Sequence, residues 1–121
     1  MKQKTIDAIK AVLAAAGEED YDMVCKDVEV TVDVLCCGED ESGPFSFIKE
    51  SVNIHKLENN RWIIAHWDDK KHQWQSSDFS AEFSRANRQA CYCFARELEA
   101  LAGNIKTYRS APEAVRAALK N

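Results

Sequence analysis

The chain has 121 residues, of which 45% are hydrophobic and 30% charged, with only four glycines and two prolines, a balance that excludes extensive disorder. This length predicts one domain, residues 1–121, able to bury a core without disulfide or metal staples. The net charge of -4 hides an asymmetry: residues 1–60 hold thirteen acids against six lysines, and residues 61–121 hold ten bases against seven acids. The N-terminal half is therefore an acidic pole, which disfavours direct nucleic-acid binding and favours a basic protein surface.

Ile6, Ile9, Val12, Leu13 and Ala16 form one stripe, which predicts a helix over about 2–16 that Gly17 ends. The stripe is narrow and has no aromatic anchors, so the helix is expected to pack on a sheet and not on a membrane. No apolar run approaches the roughly 20 residues needed to span a bilayer, and Met1–Asp7 lacks a signal-like apolar core; the cytoplasm is the expected compartment. An acidic link follows, with Glu18, Glu19, Asp20 and Asp22.

Asp27-Val28-Glu29-Val30-Thr31-Val32-Asp33-Val34 alternates apolar and polar residues at the period of a strand, with one face for a core and one for water. The strand is expected to run from about Met23 to Cys36. A turn rich in acids, with Glu39, Asp40 and Glu41, is expected from Gly38 to Gly43, closed by Pro44. In the second strand the apolar positions Phe45, Phe47, Ile48, Val52, Ile54 and Leu57 change parity, which predicts a bulge near Lys49 to Ser51. Asn59-Asn60 suits a hairpin turn because asparagine tolerates positive φ. The third strand, Arg61 to Trp67, is apolar on both sides and is expected to be central. Asp68-Asp69-Lys70-Lys71 forms the next turn, with a short fourth strand from His72 to Gln75.

Ser76-Ser77-Asp78 is an N-cap cluster ahead of Phe79, Phe83, Ala86, Ala90, Phe94, Leu98 and Leu101, which step by threes and fours toward Gly103-Asn104. This predicts a long helix packed on one sheet face. Ser110-Ala111-Pro112-Glu113 is a capping box that opens a short final helix with Ala114, Val115, Ala118 and Leu119. The fold class is therefore α+β: an N-terminal helix, an antiparallel meander of three to four strands, a long C-terminal helix and a short final one. This order resembles the double-stranded RNA-binding domain in topology alone. That family clusters lysines at the start of its last sheet-packing helix, whereas the matching region here, Ser77-Asp78-Phe79-Ser80-Ala81-Glu82, has none, so no residue roles are carried over.

Motifs for chemistry are sparse. HExxH, GxSxG, CxxC and a glycine-rich phosphate loop are all missing from the sequence. Five cysteines, at 25, 36, 37, 91 and 93, read as reduced thiols, because adjacent strand positions face opposite ways and 91 and 93 diverge around a helix. No catalytic residue, metal site or cofactor is assigned. The favoured function is a small non-enzymatic inhibitor of the immunity or phage anti-defence kind. It docks through Glu18, Glu19, Asp20, Asp27, Glu29, Asp33, Glu39, Asp40 and Glu41 onto a basic partner. A nuclease or nucleic-acid-binding complex is the natural target, since carboxylates along a strand can occupy phosphate positions. One alternative is a small enzyme that uses His55, His66 or His72 with Asp68 and Asp69 near the hairpin between strands three and four. Another is a nucleic-acid module that uses Arg85, Arg88 and Arg96 with an indole platform of Trp62, Trp67 and Trp74.

Overall fold

In the computed structural model, which describes residues 1–68, 70, 73–75, 103 and 105–120, the chain opens with helix α1 (Gln3–Ala15). No side chain caps its start; the Lys2 carbonyl accepts the first N–H groups, those of Thr5 and Ile6. Its end is better specified. Gly17 adopts φ +80°, its N–H bonds to the Ala14 carbonyl and the Glu18 N–H to the Leu13 carbonyl, the paired bonds of a Schellman termination.

Strands β1 (Tyr21–Cys25), β2 (Glu29–Asp40), β3 (Gly43–Lys56) and β4 (Trp62–Ile64) follow as an antiparallel meander in the order β1-β2-β3-β4. The stretch expected to be one strand from Met23 to Cys36 is thus two. The Lys26 N–H bonds to the Glu29 carbonyl at 2.8 Å and closes a turn between them. Val28 lies in that turn and is 51% exposed, whereas Val30, Val32 and Val34 are fully buried. The alternation continues through the turn, but only its last three valines enter the core.

The bulge falls where the parity change predicts it. Val34 pairs with Glu50 and Leu35 with Ile48, leaving Lys49 as the extra residue of β3. The turn beyond β2 is tighter and later than expected: β2 continues through Gly38 and Glu39 to Asp40, Glu41-Ser42 make the turn, and Pro44 sits inside β3 opposite Glu39. At the next turn, Asn60 takes φ 67°, its N–H bonds to the Leu57 carbonyl, and the Asn59 side chain accepts the Arg61 N–H.

β4 is apolar on both sides, as expected, but it is the last strand of the sheet and not a central one. Its outer edge is met by Tyr108, which exchanges both backbone hydrogen bonds with Trp62 at 2.7 and 2.8 Å. Arg61 reinforces this junction by donating to the Thr107 hydroxyl and, at 2.9 Å, to the Thr107 carbonyl. Beyond Ala65 the chain forms a separate two-stranded sheet, β5 (His66–Asp68) with β6 (Gln73–Gln75). The expected third strand is therefore broken, and its second half pairs elsewhere.

Helix α2 (Ala111–Lys120) closes the described fold. Half of its capping box forms, the Glu113 N–H donating to the Ser110 hydroxyl at 3.4 Å, while the Glu113 carboxylate reaches one residue past the N-cap and accepts the Arg109 N–H at 3.1 Å. Both helices bury their apolar faces on one side of the sheet. Ile9, Val12 and Leu13 of α1 and Ala111, Ala114, Val115 and Ala118 of α2 pack with Val30, Val32, Val34, Val52, Ile54, Trp62 and Ile64. A second cluster, Leu57, Ile63, Ala65 and Trp74 with Trp67 and Ile105, holds the opposite side near β4. Among the described residues the class is α+β with a four-stranded antiparallel sheet and two helices, and none of these helices is long and apolar enough to cross a membrane. The long helix expected over 79–101 lies outside the described residues.

Candidate acidic docking surface

The strand period decides where the acids go. Because Val30, Val32 and Val34 point inward, Glu29, Thr31 and Asp33 point to the side of the sheet away from the helices, across from His55, Asn53 and Ser51. Glu29 is exposed, and Asp33 is half-buried and accepts a hydrogen bond from the Ser51 hydroxyl at 2.8 Å. Asp22 on β1 pairs across from Asp33, which sets two carboxylates side by side on the outer face.

The nine candidate acids form groups and not one patch. Glu29 and Glu39 are separated by ten strand positions, roughly 30 Å along β2. At the near end, the Asp27 carboxylate is held below its ordinary value, first by the hydrogen bond from the Met1 amino group and then by that group's charge. At the far end lie Glu39, Asp40 and Glu41. The Asp40 carboxylate accepts both the Ser42 hydroxyl, at 2.7 Å, and the Ser42 N–H, at 2.9 Å, an arrangement that fixes the turn and holds this carboxyl below its ordinary value. Gly43 completes the turn at φ +116°.

Glu18, Glu19 and Asp20 fall between these ends. They line a shallow depression of about 230 Å³ with Gly17, Leu35, Cys36, Cys37 and Lys49. The Asp20 carbonyl accepts the Leu35 N–H at 2.8 Å, which ties this acidic link to β2 just before β1 begins. Glu18 is half-buried and engaged by Lys49 at 3.1 Å. Among the described residues Glu19, Asp20, Asp22, Glu29, Glu39 and Glu41 take no ion pair.

One feature of the far end is not apparent from strand patterning alone. Past Val34 on β2 and Glu50 on β3, no other strand among the described residues pairs with the hairpin, so it continues as a two-stranded arm. The arm carries Phe45, Phe47 and Ile48, exposed by 41, 55 and 56%. Phe45 and Phe47 stack with centroids 6.3 Å apart and planes within 8°. Phe45 lies across from Gly38, where an added Cβ would come within 2.6 Å of its ring. The ring covers the glycine, which is why the strand persists through a residue that sequence reading assigns to a turn. Leu35–Ile48 contains three acids and no base; by the register Asp40 shares the ring side of the ribbon, Glu39 lies on the other side across from Pro44, and Glu41 is in the turn.

The alternative sites fare differently. Trp62 and Trp74 are buried in the two separate clusters, and Trp67 is half-buried with its ring edge-on to Trp74 at 5.8 Å, so the three indoles do not form an exposed stacking platform. Arg85, Arg88 and Arg96 lie outside the described residues, as do Asp69, His72, Cys91 and Cys93. His66 is exposed and pairs across from Gln75, while His55 packs its ring on Trp74 at 4.9 Å. Burial pushes the His55 pKa down, and Glu29 opposes that shift. Three cavities, of about 530, 300 and 230 Å³, are lined entirely by described residues, and no histidine lines any of them. The largest has Lys2, Asp27, Lys56 and Arg109 beside the start of α2, where the Glu113 carboxylate already takes the Arg109 N–H.

Cys25, Cys36 and Cys37 are free thiols, and burial raises the Cys25 pKa, opposed by Met1 and Lys10. Among the described residues no three His, Cys, Asp or Glu side chains gather as metal ligands. Comparison with protein-family models, curated proteins and solved structures gives no match for this chain.

Proposed function

We propose that this chain is a small cytoplasmic, non-enzymatic binding protein that inhibits a macromolecular partner by docking acidic surface from its N-terminal half onto a basic site, in the manner of an immunity or anti-defence protein. The observation that carries this reading is the disposition of the acids: the outer sheet face, the Glu18–Asp20 link and the tip of the arm present carboxylates to solvent, several with no ion pair among the described residues. Such a field attracts cationic surfaces and raises association rates. A nuclease or other nucleic-acid-binding site is the fitting target, because it is built to hold a row of phosphates.

The test compares charge reversal at the surface with equal charge reversal elsewhere. Glu39→Lys/Glu41→Lys should weaken binding to a fluorescent poly-L-lysine probe, and raising the salt should weaken wild-type binding. Asp7→Lys/Glu58→Lys changes net charge equally and should have the smaller effect. Equal losses from the two pairs would mean that only overall charge matters, and the reading would fail.

A further inference from the structure

The exposed arm supplies what the acids lack, which is shape-dependent specificity. Carboxylates steer and orient a partner, but buried aromatic side chains hold most interfaces together. Phe45 and Phe47 are stacked, about half exposed and carried on a ribbon pinned at its base by the Leu35 N–H to Asp20 bond and the Lys49–Glu18 ion pair. A rigid aromatic pair loses little conformational entropy on burial.

Resting on the basic-partner reading above, we infer that the β2–β3 arm is the anchor of the interface, and that Phe45 and Phe47 enter an apolar slot on the partner while Asp40 and Glu41 at the tip meet lysines or arginines at its rim. Charge selects this occupant. Residues 35–48 carry no base, so a second arm laid alongside the first would bring like charges together, and an anionic membrane would repel the tip. A basic protein surface with an apolar groove satisfies both the rings and the acids.

The test uses the full chain and two labelled peptides of equal charge: a helical one with leucines along one stripe and lysines elsewhere, and an oligolysine without apolar residues. Fluorescence anisotropy should show wild-type protein preferring the leucine–lysine peptide. Phe45→Ser/Phe47→Ser should weaken that complex by roughly tenfold or more, leave oligolysine binding in place, and unfold at the wild-type temperature. Binding to both peptides without preference, or a preference that the double substitution leaves intact, would overturn the anchor while sparing the acidic reading. Binding to neither would overturn both. A marked fall in unfolding temperature would show that the rings are covered by the chain itself. A wild-type dimer in sedimentation that the double substitution makes monomeric would show that they are covered by a second copy. Wild-type binding to neutral phosphatidylcholine vesicles that is lost in the variant would assign the arm to lipid. Each of these three results would overturn the proposal.

Discussion

Replacing valines one at a time tests the register of β2, because Val28 and Val32 look equivalent in the sequence and are not equivalent in the fold. Val32 is fully buried at the centre of the sheet, between Met23 on β1 and Val52 on β3. Val32→Ala removes two carbons, about 1.6 kcal/mol of transfer free energy at ~0.8 kcal/mol per CH₂. The unfilled space and the weaker strand preference of alanine bring the loss to about 2–3 kcal/mol. For a chain of this size that corresponds to a fall of roughly 8–12 °C in Tm. Val28 sits in a turn, half in solvent, and its carbonyl accepts the Lys56 N–H whatever its side chain is. Val28→Ala should therefore stay within about 0.5 kcal/mol of wild type. Urea and thermal unfolding followed by circular dichroism would measure both. If Val28→Ala cost more than about 1 kcal/mol, or Val32→Ala less than about 0.5, the division of the valine run between turn and core would be wrong.

Other outcomes follow from single features. Gly17→Ala should cost about 1–2 kcal/mol although nothing crowds the position, because φ +80° strains a side-chain-bearing residue; Gly17→Asn should cost less, and denaturant titration reads both. Ser110→Ala should lose about 1 kcal/mol with the cap of α2, visible as a lower urea midpoint at unchanged slope. His55 binds a proton less readily in the folded chain than its ordinary value of 6.5. Below that value the unfolded chain takes up the proton first, so this contribution to stability is full above about pH 6.5 and is lost as pH falls toward the lowered folded value. Asp27 and Asp40 are lowered from 3.8 and act only in more acid solution. Unfolding measured between pH 7 and pH 5 should thus show a slope that His55→Gln flattens; an unchanged slope in the variant would refute the assignment.

Much of the backbone punctuation is legible because each signal has a local mechanism. Gly17 ends α1 by taking positive φ, Asn60 turns the chain the same way, and Ser110 with Glu113 caps α2. The bulge at Lys49 is legible as a parity change, since an extra residue must reverse the alternation. The turn between β1 and β2 is harder to see: Lys26-Asp27-Val28 contains no glycine, proline or asparagine, and Val28 extends the valine rhythm into it. A phase change does mark it, since Tyr21, Met23 and Cys25 face the core from odd positions and Val30, Val32 and Val34 from even ones. The arm is hidden for a different reason. Gly38 reads as a turn unless the ring of Phe45 is known to cover it, and that contact spans two strands. The grouping of the acids is likewise tertiary, because the Glu18–Asp20 link reaches the base of the arm only once Leu35 bonds to Asp20.

The bulge at Lys49 also separates two parts of the chain that can change independently. On one side of it the pairings of Val30–Val34 with Glu50–Ile54 are fixed by the core, while on the other side only the two strands of the arm answer to each other. Adding or removing two residues on each strand would move the tip by about 7 Å and leave every ring on its own side of the ribbon. The reach of the arm can therefore change in paired steps, while the valine ladder beneath the helices stays as it is.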